Sequence, residues 1–241
     1  MSGVRAQPQV FSVAVVFPAG PDEALVAPVA MRTADGPRIS RLDQAYDLRA
    51  SAWFMDVATR PELRWHGPMH GPASGHFLAL YCEPWSSSGR PDVLGHVCST
   101  WSLYELEALR RALPAGRFGY TWLLSHEARS LAHPYVDWVR AARTPDQVAD
   151  ERGDARLHEV TRRTIAGQAG ATYAIDPLTG RGAVMFQAPI PTSGWSLVAV
   201  VLEHDILAGE PSLRRRQIVM AIVLLGTLAA AAAILLLGGR K

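Results

Sequence analysis

The longest apolar stretch of the chain lies near its C-terminal end, from Ile218 to Leu237, and contains no charged side chain. At about 1.5 Å per residue, a helix over these positions is about 30 Å long, the thickness of the hydrocarbon core of a bilayer. A helix buried in a soluble core rarely stays apolar on all of its faces over this length, so the pattern predicts a membrane-spanning helix. Three arginines, Arg214 to Arg216, precede it, where their side chains can reach lipid headgroups.

Upstream of this stretch, apolar β-branched runs alternate with turn signals and predict a first set of elements. It comprises strands over 10–17, 25–32, 76–83 and 93–99, a helix over 46–60, and a loop rich in Gly, Pro and His over 65–75. A capping box from Ser102 to Glu105 predicts the start of a further helix that ends near Leu113.

A second, similar set follows. It comprises strands over 120–125, 172–175, 182–188 and 195–202, a short strand that ends at 132, and a helix over 154–166. Strands and helices in this order predict an α+β fold of two modules with antiparallel sheets, divided near residues 114–117.

Composition narrows the possible functions. Charged residues make up 19% of the chain, and a net charge of +2 is too small to favour nucleic-acid binding. Lys241 is the only lysine, so the folded part offers no lysine for nucleophilic or Schiff-base chemistry. The two cysteines, Cys82 and Cys98, lie on neighbouring predicted strands; we expect reduced core thiols, with a single bridge between them as the alternative.

Residues for catalysis or metal binding do not form a known pattern. The serines lack the Gly-x-Ser-x-Gly turn and a placed base, and there is no glycine-rich phosphate loop. His66, His70 and His76 share one predicted loop, but their spacing matches no metal site, and we expect solvated histidines there. The sequence therefore predicts a protein that is not an enzyme and that needs no cofactor or metal.

Motifs spread over most of the chain resemble the double-Cache (dCache) sensor domains of bacterial transmembrane receptors. In the first module the resemblance is carried by Pro28–Arg32, Tyr46–Phe54, Trp65–Pro68 and Gly95–Leu103, which are similar to the family patterns PYxYR, YDxxxxxWY, WSxPY and GVVxxDISL. In the second module it is carried by Gly119–Ser125, Leu131–Pro134 and the closing segment Ala188–Leu197. The sensor half of SpoIIE-type serine phosphatases and sensor kinases is the most similar in character.

The resemblance implies two stacked PAS-like modules and a defined domain order. Residues 1–115 would form the membrane-distal Cache module, 116–205 the membrane-proximal module, 206–217 a juxtamembrane helix and 218–237 the transmembrane helix. Relative to the family, we expect this sequence to be a sensor that misses the N-terminal membrane helix with its long extracytoplasmic helix and the cytoplasmic effector, through a mis-called start, a split gene or a genuine minimal form. We therefore expect the sensor part of a receptor whose full-length form carries a kinase or phosphatase.

The family also implies how such a domain works. We expect a single-pass protein of the cell membrane, with the domain extracytoplasmic, that senses a small organic molecule and passes the ligand state to the transmembrane helix. A homodimer through the membrane-proximal helices is a further expectation.

The family places the ligand pocket in the distal module, between the 46–54 segment, the 65–69 loop and the strand that ends at Thr100. Aromatic walls with a few polar groups suit a small organic ligand. The candidate ligand-binding residues are Arg32, Tyr46, Arg49, Trp53, Phe54, Trp65, Met69, Tyr81 and Thr100.

Two positions set this chain apart from the amino-acid-binding members of the family. Their arginine, five residues after the tyrosine, is replaced by Ser51, and their downstream aspartate falls at Thr100. Arg49 or Arg32 could substitute for the arginine that pairs with a ligand carboxylate, but nothing replaces the acid. We therefore do not expect an α-amino acid as the ligand.

Two alternatives remain open from the sequence. The chain could be a membrane-anchored structural or interaction protein without a small-molecule ligand. The charges that flank the predicted span, Arg214 to Arg216 before it and Arg240 with Lys241 after it, also permit a cytoplasmic domain with a tail anchor.

Overall fold

The structure of this protein is a computed structural model that describes residues 10–17, 25–60, 65–71, 74–86, 93–113, 115 and 117–208. It contains a six-stranded and a five-stranded sheet, and every paired strand in both is antiparallel. Helices pack against both sheets, so the α+β class with antiparallel sheets is confirmed.

The first sheet has the strand order β3-β2-β1-β6-β5-β4. Its strands are β1 (Val10–Val16), β2 (Pro28–Thr33), β3 (Gly36–Arg41), β4 (Trp65–His70), β5 (Phe77–Ser86) and β6 (Val93–Ser102). In β1 buried and half-buried residues alternate strictly, as expected for a strand with one face on a core. The predicted strands are confirmed, and β5 and β6 extend beyond their predicted ends.

The sequence prediction of a loop over 65–75 is wrong for its first part, because Trp65–His70 forms the edge strand β4. Gly67 and Pro68 suggested a loop, but the ladder to β5 shifts register between His66 and Met69 and accommodates both. An edge strand tolerates proline because it pairs on one side only.

Two helices cover one face of the first sheet, α1 (Leu42–Ala45) and α2 (Ala52–Thr59). The single helix predicted over 46–60 is therefore wrong in its first part. The Asp47 carboxylate accepts the backbone N–H groups of Arg49 and Ala50, at 3.0 and 3.3 Å, and so stabilises a turn that competes with the helix.

The second sheet has the order β8-β7-β11-β10-β9 and lies close to the predicted boundaries. Its strands are β7 (Tyr120–Leu124), β8 (Ser130–Ala132), β9 (Gly170–Ile175), β10 (Gly182–Ile190) and β11 (Trp195–Leu202). The helices α4 (Val136–Arg140), α5 (Pro145–Arg152), α6 (Leu157–Ile165) and α7 (Glu203–Ala208) accompany it. Trp122, Leu157 and Met185 are completely buried in the core between this sheet and its helices.

The helix α3 (Leu103–Arg111) lies between the two sheets in sequence and in space. Its buried Leu103 and Leu106 share an apolar cluster with residues of β5, β7 and β8. The predicted capping box is wrong, because Ser102 is the N-cap but its side chain accepts no hydrogen bond from the helix. The chain does contain a capping box elsewhere, between Thr144 and Gln147 of α5.

Cys82 and Cys98 form a disulfide, which corrects the expectation of reduced thiols. They are direct partners in the antiparallel pairing of β5 with β6, a register that the sequence alone did not reveal. Both half-cystines are buried beside Val57 of α2.

The predicted transmembrane helix over 218–237 lies outside the described residues, as does the predicted juxtamembrane segment after Ala208. Among the helices of the described part, none combines the length and the apolar character that crossing a bilayer requires.

Candidate ligand-binding site

A small cavity lies between the first sheet and the helices α1 and α2. Its volume is about 50 Å³, which leaves room for only a few water molecules. The described residues that line it are Phe11, Ser12, Ala14, Met31, Leu42, Tyr46, Trp53, Met69, Gly71, Ser74, Leu78, Leu80, Cys98 and Thr100.

Strand register explains why this set comes together. Ser12 of β1 pairs with Met31 of β2 on one side and with Thr100 of β6 on the other, and Thr100 pairs with Leu80 of β5. Directly paired residues of neighbouring strands point to the same face, so these four side chains form one row across the sheet. That row is the floor of the cavity.

Four of the candidate residues line the cavity: Tyr46, Trp53, Met69 and Thr100. Strand β1 supplies Ser12 and Ala14 to the floor, two residues that were not among the candidates predicted from the sequence. One signal was present, because these small side chains occupy the buried positions of a strand that is otherwise rich in valine.

Two pairs of polar groups face one another in this site. The Ser12 and Thr100 hydroxyl oxygens are 2.6 Å apart and share a hydrogen bond. Trp53 Nε1 donates to the phenolic oxygen of Tyr46 at 3.1 Å. Burial raises the pKa of Tyr46 and outweighs this hydrogen bond, which acts in the opposite direction, so the phenol is neutral at physiological pH.

A larger and more open cleft of about 400 Å³, called the outer cleft below, is lined by the turn before α2, the start of α2 and the end of β4. Tyr46, Trp53 and Met69 line both spaces and therefore form the wall between them. Asp47 and His70 line only the outer cleft. Together the two spaces have the size of common small-molecule sites.

The other five candidate residues lie outside the cavity. Trp65 and Tyr81 are direct partners in the β4–β5 ladder, whereas the next pair, His66 with Leu80, brings Leu80 to the cavity. Successive side chains of a strand point to opposite faces, so Trp65 and Tyr81 lie on the far side of the sheet. There the Trp65 ring contacts Trp195 of the second sheet at 4.5 Å between ring centroids.

The remaining three candidates have other environments. Phe54 packs in an apolar cluster with Val16 and Leu48. Arg49 is exposed on the turn before α2, and Arg32 donates to the backbone oxygen of Val10 at 3.4 Å.

Helix α2 and its C-cap also carry a polar cluster, formed by Asp56 and Arg60. Asp56 binds the Nδ1 atom of His66 and accepts from Arg60 Nε at 2.6 Å, and Arg60 also donates to Glu127 of the second module at 2.9 Å. Burial acts to raise the pKa of Asp56, but the hydrogen bonds from His66 and Arg60 outweigh it and hold the pKa below its usual value. The expectation of a solvated His66 is therefore wrong, since this side chain is buried and bonded to a carboxylate.

A third space of about 500 Å³ lies between α3 and α4. Two arginines that line it, Arg111 and Arg140, are mostly exposed and pair with Glu107, which also lines it, and with Asp137. The part of the chain described by the structure contains no group of three or more His, Cys, Asp or Glu side chains that could hold a metal ion.

Comparison with solved structures identifies similar folds. The extracellular domain of mmHK1S-Z3, a protein described as a histidine kinase, matches with a TM-score of 0.71 at 20% identity, over 88% of this chain and 80% of that one. The ligand-binding domain of the amino-acid chemoreceptor PctB of Pseudomonas aeruginosa PAO1, solved with L-Gln, matches with a TM-score of 0.58 at 18% identity, over 88% and 76%. The periplasmic sensory domain of the Campylobacter jejuni chemoreceptor Tlp1 matches with a TM-score of 0.59 at 10% identity, over 83% and 74%.

Neither a family model nor a curated protein matches this sequence. Because the structural matches lie below 25% identity, they establish the fold alone. The similarity to SpoIIE-type sensors stays a prediction. The resemblance to double-Cache sensor domains is confirmed in the fold, which is that of the extracellular sensor domains of histidine kinases and chemoreceptors.

Proposed function

We propose that this protein is a membrane-anchored extracytoplasmic sensor that binds a small organic molecule in the first module. One observation carries the proposal: helix α2 supplies a wall of the cavity through Trp53 and a contact to the second module through Arg60. A ligand that displaces Trp53 would therefore act on a helix whose C-cap residue is paired with a loop of the second sheet.

The energetics of such a sensor are simple. A ligand biases the domain only by the difference between its affinities for two states. The closed state has the small cavity with Trp53 as a wall, and the ligand-bound state would have the cavity joined to the outer cleft. Binding energy for the second state would shift α2 and, through Arg60, the loop that contains Glu127.

The disulfide supports an extracytoplasmic location. Bridged cysteines persist in oxidising compartments and are rare in the bacterial cytosol. Cys82–Cys98 and the apolar segment over 218–237 together favour a domain outside the membrane with a helix through it. Labelling of a cysteine introduced at exposed Ser40, with a reagent that does not cross the membrane, tests this orientation. We expect labelling in intact cells; labelling that requires lysis of the cells contradicts the proposal.

A partner follows from this role. We infer that in a full-length receptor the transmembrane helix leads to a cytoplasmic kinase or phosphatase, and that the domain acts as a homodimer. Crosslinking in native membranes tests the dimer. If only monomers are recovered, the dimer is contradicted.

The test of sensing compares two neighbouring aromatic residues on α2. We would screen the full chain, purified in lipid nanodiscs, against a library of small metabolites by thermal unfolding. A ligand should raise the melting temperature of the wild type and of Phe54→Ala, whose side chain lies outside the cavity, but not that of Trp53→Ala. Tyr46→Phe, which removes one oxygen atom, gives a second variant in case Trp53→Ala does not fold.

The small volume of the cavity favours a second candidate function. A cavity of about 50 Å³ also fits a membrane-anchored structural or interaction protein without a small ligand. In that case no compound raises the melting temperature, and the only effect of Trp53→Ala is a lower free energy of unfolding.

A further inference from the structure

We propose that the ligand group that enters the cavity is uncharged and carries a hydrogen-bond acceptor, as in a small amide, ketone or alcohol. This inference rests on the proposed sensor function and specifies the chemical class of its ligand.

The lining of the cavity excludes a charged group. Each described residue that lines it has an uncharged side chain at neutral pH, and most of the lining is apolar. A carboxylate or ammonium moved from water into such a space loses its hydration without gaining an opposite charge. Arg32 and Arg49, the two arginines that could pair with a carboxylate of the ligand, do not line the cavity.

The hydroxyl groups specify what the ligand must offer. In the Ser12–Thr100 pair one hydroxyl donates to the other, which leaves one hydroxyl hydrogen for a further acceptor. Tyr46 accepts from Trp53, so its own hydrogen can be donated to a ligand atom. A carbonyl or hydroxyl oxygen between these donors would satisfy them.

The apolar walls determine the polarity and the size of the remainder of the ligand. Met31, Leu78 and Leu80 surround the hydroxyl groups and favour a compact hydrocarbon part. A longer ligand would pass the Trp53 side chain into the outer cleft, where Asp47 and His70 lie and where solvent can hydrate a charge. The charge preference therefore applies to the end that enters the cavity.

Matched pairs of acids and amides test this proposal, because the two members differ in charge but hardly in shape. We would titrate the full chain in nanodiscs with propionate and propionamide, butyrate and butyramide, and benzoate and benzamide. Calorimetry and tryptophan emission would follow binding. We expect at least one amide to bind at least about tenfold more tightly than its acid, a difference of about 1.4 kcal/mol.

A matched pair of variants tests the role of the hydroxyl groups. Thr100→Val removes one hydroxyl in the cavity, whereas Ser99→Val changes the preceding residue of β6, which faces the other side of the sheet. We expect Thr100→Val to weaken amide binding about fivefold and Ser99→Val to leave it unchanged. Equal effects of both variants overturn the role of the Thr100 hydroxyl.

The outcomes separate this proposal from the sensor function itself. If an acid binds more tightly than its amide and Trp53→Ala abolishes that binding, the ligand class is wrong and the sensor function stands. The same conclusion holds if no amide binds but a charged compound of the metabolite library does so through Trp53. If neither the pairs nor the library bind, the sensor function fails together with the ligand class.

Discussion

The guanidinium group of Arg60 donates a hydrogen bond of 2.9 Å to Glu127 Oε1 and so joins two parts of the chain that are far apart in sequence. Arg60 is the C-cap of α2, whose first turn carries Trp53 at the cavity. Glu127 lies in the loop between β7 and β8 of the second sheet. One short helix therefore has the cavity at one end and the second module at the other.

We expect Arg60→Met to loosen both ends of this connection. Both side chains are partly exposed, so the coupling energy of the pair should be modest, about 0.5–1 kcal/mol in a double-mutant cycle with Glu127→Gln. Hydrogen exchange should rise in α2 and in residues 125–129.

Arg129→Met is the matched control for this change. Arg129 also pairs with Glu127, at 3.0 Å, but it belongs to the same loop and does not reach α2. In Arg129→Met we expect faster hydrogen exchange in the loop only. In Arg60→Met we expect faster exchange in the loop and in α2, which would support the connection. Equal exchange patterns in the two variants contradict it.

Trp65 gives the second prediction, because its ring contacts both Trp101 of its own sheet and Trp195 of the other. Trp65→Ala should lower the free energy of unfolding by about 3 kcal/mol, since it removes a large side chain from the cluster between the sheets. Urea unfolding measures this loss. Trp85→Ala, at an exposed tryptophan of β5, should cost less than about 1 kcal/mol; similar losses for both would show that Trp65 does not stabilise the contact between sheets.

The position of Trp65 also shows where sequence reasoning reaches its limit. Most strands of both sheets could be predicted because β-branched runs and turn residues are local signals, whereas the polar, Gly- and Pro-containing strands β3 and β4 lack them. Which face a side chain takes depends on the register with a partner strand, and a shift of one residue reverses it. The family resemblance put Tyr46, Trp53, Trp65 and Tyr81 into one candidate pocket, but only Tyr46 and Trp53 line the cavity, because the strand register turns Trp65 and Tyr81 to the other face.

The dependence on strand register also explains two contacts that were not predicted from the sequence. Ser12 meets Thr100 across 88 positions of sequence, and no local pattern records that pairing. Cys82 and Cys98 were placed on neighbouring strands, but their exact opposition required the register.

The disulfide gives the third prediction. Reduction, or the double variant Cys82→Ala with Cys98→Ala, should lower the free energy of unfolding by about 2–4 kcal/mol, because the bridge closes a loop with a sequence separation of 16. Urea unfolding with and without reductant measures this loss. The double variant should be insensitive to reductant, and a wild type that is equally insensitive would contradict the presence of the bridge.

His133 gives the last prediction, because it is completely buried and its ring stacks on Trp138 with 4.4 Å between centroids. Burial lowers its pKa from 6.5 to about 3. Between these two values the unfolded chain binds a proton that the folded chain excludes. This contribution to stability is therefore fully present above pH 6.5 and is lost as the pH falls towards 3.

The expected slope is up to about 1.4 kcal/mol per pH unit, which amounts to about 2–3 kcal/mol at pH 4.5. His133→Phe should be less stable than the wild type at pH 8 by about 1–2 kcal/mol, because the Tyr135 N–H loses its acceptor at Nδ1. As the pH falls, the variant lacks the proton uptake at this position, so the difference between the two proteins should shrink and then reverse. Urea unfolding of both proteins from pH 8 to pH 4.5 measures the difference, and a constant gap across this range would show that His133 takes up a proton equally in the folded and unfolded states.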